Sequence, residues 1–125
     1  MSFDATTNTI SVIRGDDRVI IFTIDNLPPW IMDLTDMVSG TFTARDRADK
    51  VILASDLVEI VDQTTVRVTL THFQTTPQGV YLADLELRFP GGPTGPDPDD
   101  PYAGLLVYTP WTGRLALGID QTREP

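Results

Sequence analysis

His72 is the chain's single histidine, and there is no cysteine, so the nucleophilic chemistries open to it are few. A triad would need its imidazole beside Ser2, Ser11, Ser39 or Ser55, with a carboxylate to hold the ring. None of those serines stands in a nucleophile motif, and His72 reads as a solvated loop residue beside the end of a strand. Asp97, Asp99 and Asp100 offer hard oxygens of the kind calcium takes. The prolines between and around them stiffen that segment, and no glutamate closes the set, so a solvated acidic loop is expected. Arg14-Gly15-Asp16 spells an integrin-binding tripeptide but also spells a tight turn, in which glycine supplies the unusual φ and aspartate bonds locally. The remaining acids are scattered through turns and outward strand positions rather than opposed across a cleft, as glycoside hydrolysis requires. No glycine-rich loop opens a helix for phosphate. These residues point to a protein with no catalytic, cofactor-binding or metal site, hence not an enzyme. Trp30, Trp111, Tyr102 and Tyr108 are the side chains that would stack on sugars if the chain were a carbohydrate-binding or adhesion module.

Charge and composition narrow the partners. The formal net charge of −9 repels phosphate backbones and anionic lipid, so nucleic acid and membrane are not expected as partners. No run approaches the roughly 20 apolar residues of a membrane helix. The opening Met1-Ser2-Phe3-Asp4-Ala5 has neither the basic flank nor the apolar core of a signal peptide. Absence of cysteine suits folding in a reducing cytoplasm. With 125 residues the chain is expected to form one domain, residues 1–125, able to fold without staples.

The elements that would carry these residues are strands. Arg18 to Asp25 is rich in β-branched residues and sets Ile20, Phe22 and Ile24 on one face. Val38, Gly40, Phe42 and Ala44 alternate with Ser39, Thr41, Thr43 and Arg45. Val66, Val68 and Leu70 alternate with Thr65, Arg67 and Thr69, and Tyr81, Ala83, Leu85, Leu87 and Phe89 with Leu82, Asp84, Glu86 and Arg88. Shorter candidates are Thr9 to Ile13, Lys50 to Ala54, Leu57 to Val61, Gly104 to Thr109 and Arg114 to Ile119. Such spacing predicts an all-β sandwich of about seven to eight strands. Leu27-Pro28-Pro29-Trp30 reads as a stiff connection. Pro90 to Pro101, P-G-G-P-T-G-P-D-P-D-D-P, cannot form a ladder and is expected to be a flexible hairpin insertion within one domain. Thr109 to Gly113 interrupts the last strand, as a β-bulge would, and could let it turn or change sheets.

Gln78-Gly79-Val80-Tyr81 opens the longest alternating strand after a glycine-containing corner. That is the placement of a tyrosine corner, whose ring packs inward and whose hydroxyl bonds the preceding loop. With Ala83 where antibody domains carry cysteine, the fold class predicted is an immunoglobulin-like antiparallel β-sandwich lacking the disulfide.

Several strings also carry a resemblance. Ile13 to Ile24, I-R-G-D-D-R-V-I-I-F-T-I, the tripeptide Asp33-Leu34-Thr35 before Val38 to Arg45, Val66 to Thr71, Gly79 to Leu87, and Gly113 to Leu117 with Asp120 to Arg123 follow one another in order. Together they resemble a family of phage tail and baseplate domains, similar to the N-terminal domains of upper baseplate and fibre-attachment proteins. The insertion at 90–101 departs from that pattern. A baseplate protein of this kind would be expected to continue into a linker and receptor-binding region, and a stand-alone tail or connector component is the open alternative. The resemblance implies a virion protein made in the host bacterial cytoplasm, with structural contacts to other phage proteins and to copies of itself. A homo-oligomer, a trimer or larger ring, is expected. The interface candidates are Val80 and Leu82, on the outward face of their strand, with Leu106 and Tyr108 on a terminal strand apolar on both faces.

Overall fold

A computed structural model of the chain describes residues 2–4, 9–24, 27–29, 31 and 34–118. Asp25, Trp30, Asp33, Ile119 and Asp120 to Arg123, all used above, lie outside the described residues. The strands are β1 (Ser2–Asp4), β2 (Thr9–Ile13), β3 (Arg18–Thr23), β4 (Ser39–Arg45), β5 (Val51–Ser55), β6 (Val58–Asp62), β7 (Thr65–Leu70), β8 (Gly79–Pro90) and β9 (Leu105–Gly118). A 3₁₀ turn, Leu34–Asp36, lies between β3 and β4. One sheet has the order β1-β2-β9-β8-β4-β5 and the other β3-β7-β6. Lettered in chain order from β2, these sheets read A′GFCC′ and BED, the immunoglobulin-type arrangement.

The protein is therefore an all-β sandwich, with one departure from the expected antiparallel pattern: β2 runs parallel to β9, pairing Thr9 with Arg114 through Ile13 with Gly118. The reason is a sheet change. β2 ends in the larger sheet at Ile13, the Arg14–Asp17 turn crosses the sandwich, and β3 begins in the smaller sheet at Arg18. That leaves β2 beside the last strand rather than beside its successor.

The core follows the alternation. Ile20, Phe22, Ile24, Phe42, Val66, Val68, Leu70, Ala83, Leu85 and Leu87 are buried as expected, joined by Ile10, Val12, Leu34, Leu53, Phe89, Leu115 and Leu117. Tyr81 is half-buried against this cluster. At the centre Trp111 contacts Phe22 and Phe42, with ring centroids 5.5 and 5.9 Å away. Gly40, the second residue of β4, leaves room for the opposite sheet: a Cβ there would lie 2.8 Å from Val58 Cγ1. Val38 precedes β4 and is exposed rather than lining its inner side. The strands foreseen as separate at 104–109 and 114–119 form one strand, β9, which stays in one sheet.

Two local devices hold the ends of the sandwich. At the start of β8, the Tyr81 hydroxyl donates to Gln78 O at 2.6 Å, so the tyrosine corner is present. Gly79 has φ 138°, which side chains with a Cβ rarely adopt, and a Cβ there would crowd the Tyr81 hydroxyl at 3.1 Å. At the same end Thr75 is fully buried, and its hydroxyl donates to Asp16 O at 2.8 Å. Thr75 thus ties the β7–β8 loop to the turn that crosses the sandwich.

Candidate functional site: the outer face of the six-stranded sheet

With Ala83, Leu85 and Leu87 turned inward, the pleat sends Val80, Leu82, Asp84, Glu86 and Arg88 of β8 to the outer face of the larger sheet. That face has two halves, and they differ in what covers them.

Around Arg88 the face is closed. Its guanidinium donates to Ser39 Oγ at 3.1 Å and Thr41 Oγ1 at 2.8 Å and pairs with Glu86 at 3.1 Å. Tyr102, from the β8–β9 hairpin, lies over it with the ring centroid 5.2 Å from Cζ. The hairpin loop is ordered by its own aspartates: Asp97 Oδ1 accepts from the Asp99 amide and Asp100 Oδ1 from the Tyr102 amide, each at 2.9 Å. Among the described residues no three His, Asp or Glu side chains converge as a metal site would require.

The other half is open. Val80 and Leu82 are 64% and 61% exposed. Their cross-strand partners on β9 are Ala116 and Arg114, and Leu82 also faces Arg45 on β4. Leu82 therefore sits between two arginines. Arg45 pairs with Asp84 at 3.0 Å and Asp49 at 3.7 Å, whereas Arg114 extends into solvent. A shallow open depression here has Arg45, Asp49, Leu82, Asp84, Gly113 and Arg114 among its lining residues. The result is an exposed apolar pair, with Leu82 bordered by the ion-paired Arg45 on one side and the exposed Arg114 on the other.

Of the four interface candidates, the structure brings Val80 and Leu82 together on this face and puts Leu106 and Tyr108 elsewhere. Leu106 and Tyr108 pack against the core, and Leu105 and Val107 take the outward side. This correction has a specific cause. β8 and β9 pair as Leu87 with Tyr108 but Leu85 with Trp111, so Thr109 and Pro110 together oppose Glu86. The bulge shifts the alternation of β9 by one residue, and Leu106, Tyr108, Trp111, Leu115 and Leu117 all turn inward. Arg45 and Arg114 were missed as neighbours of Leu82, because only the strand register reveals that they share its row.

The other residues with chemical capacity serve local roles. His72 donates both its amide and its ring Nδ1–H to Asp17 Oδ1, the ring bond at 2.9 Å, since a carboxylate only accepts. Those bonds hold the Asp17 carboxyl below its ordinary pKa, the side-chain bond contributing most. The His72 ring also meets that of Phe73, 4.0 Å between centroids. Ser39 Oγ accepts from Arg88, and Ser55 Oγ donates to Thr69 O at 2.7 Å across the sheets. In the Arg14-Gly15-Asp16 turn, Arg14 Nε donates to Thr76 O at 2.8 Å and Asp16 pairs with Arg18 at 3.5 Å. Gly15 supplies φ 77°. Of the aromatic residues considered as a sugar platform, the three described ones do not share a surface: Trp111 and Tyr108 pack on the core and Tyr102 covers Arg88.

No family model and no curated protein matches this chain.

Proposed function

We propose that this protein is a structural component of a bacteriophage virion, a tail, baseplate or connector protein, working through protein–protein contacts rather than catalysis. In this reading it is made in the host cytoplasm and assembles with copies of itself, as a trimer or larger ring, and with other virion proteins. The phage setting is supported by the ordered landmarks from Ile13-Arg14-Gly15-Asp16-Asp17 to Gly113-Arg114-Leu115. The mode of action rests on one observation: Val80 and Leu82 stand exposed on the outer face of β8, an apolar pair beside the exposed Arg114 on an acidic protein. Such a strip gains by burial against a complementary surface, and a second chain of charge −9 supplies acidic groups for Arg114.

The distinguishing experiment pairs light scattering of the pure protein with a thermal-shift screen against glycans. A defined oligomer whose melting temperature no glycan raises is the expected result. A monomer stabilised by a sugar would replace this reading with that of a carbohydrate-binding module.

A further inference from the structure

The sandwich has four sheet edges, and three of them carry features that discourage further pairing. β1 is three residues long. β5 has an extra residue at Ile52, where Ala44 pairs with Leu53 but Arg45 with Val51. β6 has one at Val61, where Ile60 pairs with Val66 but Asp62 with Thr65, and it carries Glu59 and Asp62. Short edges, bulges and charges are the usual means of keeping an edge from recruiting another strand. β3 has none of them. Its six residues, R-V-I-I-F-T, pair with β7 in unbroken register from Arg18–Leu70 to Thr23–Thr65, with a charge only at the first position. Among the described residues no strand pairs with its other side.

The backbone phase of that free side is fixed. The Ile24 amide donates to Thr64 O at 2.7 Å, so even-numbered residues of this strand direct their amides to β7. Val19, Ile21 and Thr23 therefore direct N–H and C=O groups outward. The side chains of Val19 and Ile21, 46% and 51% exposed, form an apolar stripe along the same strand.

We infer that the β3 edge is a second contact surface, occupied by β3 of another copy of this chain in antiparallel register about a twofold axis. The stripe is self-complementary: Val19 of one copy faces Ile21 of the other, twice, and the outward groups of both strands pair. Charge selects the antiparallel arrangement. Asp16 and Asp17 immediately precede β3, and a parallel alignment would stack these acids of two copies, each of charge −9. Antiparallel alignment sends them to opposite ends, with Asp17 beside the uncharged Thr23. The two three-stranded sheets then become one of six, β6-β7-β3-β3-β7-β6. This inference stands on the edge geometry and does not depend on the phage reading or on the Val80–Leu82 strip.

Sedimentation of the full chain with separable variants tests it. Ile21→Pro removes an amide that points away from β7, so the internal ladder is retained while the edge is blocked. Val19→Lys with Ile21→Lys reaches the same end through exposed side chains should proline disturb folding. Val80→Lys with Leu82→Lys removes the other surface. A dimer for that last variant is expected, halving in mass to a monomer when either β3 change is added. Amides of Val19, Ile21 and Thr23 should exchange slowly in concentrated protein and quickly on dilution. A Val80→Lys/Leu82→Lys variant that is already monomeric, or a dimer unaffected by both β3 changes, would overturn the inference. So would slow exchange of the three amides in a monomer, which would mean that the chain or a different partner covers its own edge.

Discussion

Phe22 lies at the contact of the two sheets, its ring against Phe42 and Trp111. Truncation to alanine would leave a cavity between rings that cannot collapse, so Phe22→Ala should cost about 3–5 kcal/mol, measured by denaturant unfolding. A marginal domain would not survive that loss. The Tyr81 hydroxyl is a smaller matter. Its bond to Gln78 O lies at the surface, so Tyr81→Phe should cost only about 0.5–1.5 kcal/mol. Two aspartates set the acid behaviour. Asp17 is held below its ordinary pKa by the His72 ring and amide, and Asp62 by the Thr64 amide first. A carboxylate with a depressed folded pKa adds stability that is present above its unfolded value of 3.8 and is lost as pH falls through the folded one. Asp17→Asn combined with Asp62→Asn should therefore flatten the fall in stability below about pH 4, followed by acid titration of the folded signal.

At the scale of elements, the strands that alternate cleanly were legible because each has one face on the core. β3, β7 and the inner half of β8 bury the residues their period of two selects, and the Gln78–Tyr81 corner declares itself through its glycine and tyrosine. β9 was not legible in the same way. Leu105 to Tyr108 are apolar without interruption, so alternation alone cannot choose a face, and the bulge at Thr109–Pro110 reverses the phase read from Leu115 and Leu117. Thr75 escaped notice for a different reason: a buried threonine in a loop has no periodic signature, and only its partner Asp16 O, distant in sequence, explains it. The hairpin insertion illustrates what composition does convey. Its residues are mostly exposed and its bonds mostly internal. Replacing Pro90 to Pro101 by a short Asn-Gly turn should leave the melting temperature close to that of the parent chain, because loop length changes closure entropy only slowly. A large drop in a calorimetric scan would show that the insertion packs on the body.

For the whole molecule the balance is between charge and contact. A net charge of −9 opposes contact between copies, and among the described residues the Val80–Leu82 strip and the β3 edge are apolar surfaces where that opposition is weakest. They lie on different sheets, so a particle built through both could grow in two directions. The candidate site was half legible: the pleat of β8 exposes Val80 and Leu82, whereas the neighbouring arginines depend on pairing partners far along the chain. The most direct test of the proposed role is sedimentation of the unmutated protein beside Val80→Lys/Leu82→Lys. Both positions are exposed in the single chain, so the double variant should still fold. The unmutated chain should sediment as an assembly of three or more copies, and the variant, still folded, should lose the contacts made by this strip. Identical sedimentation of the two proteins would contradict that role.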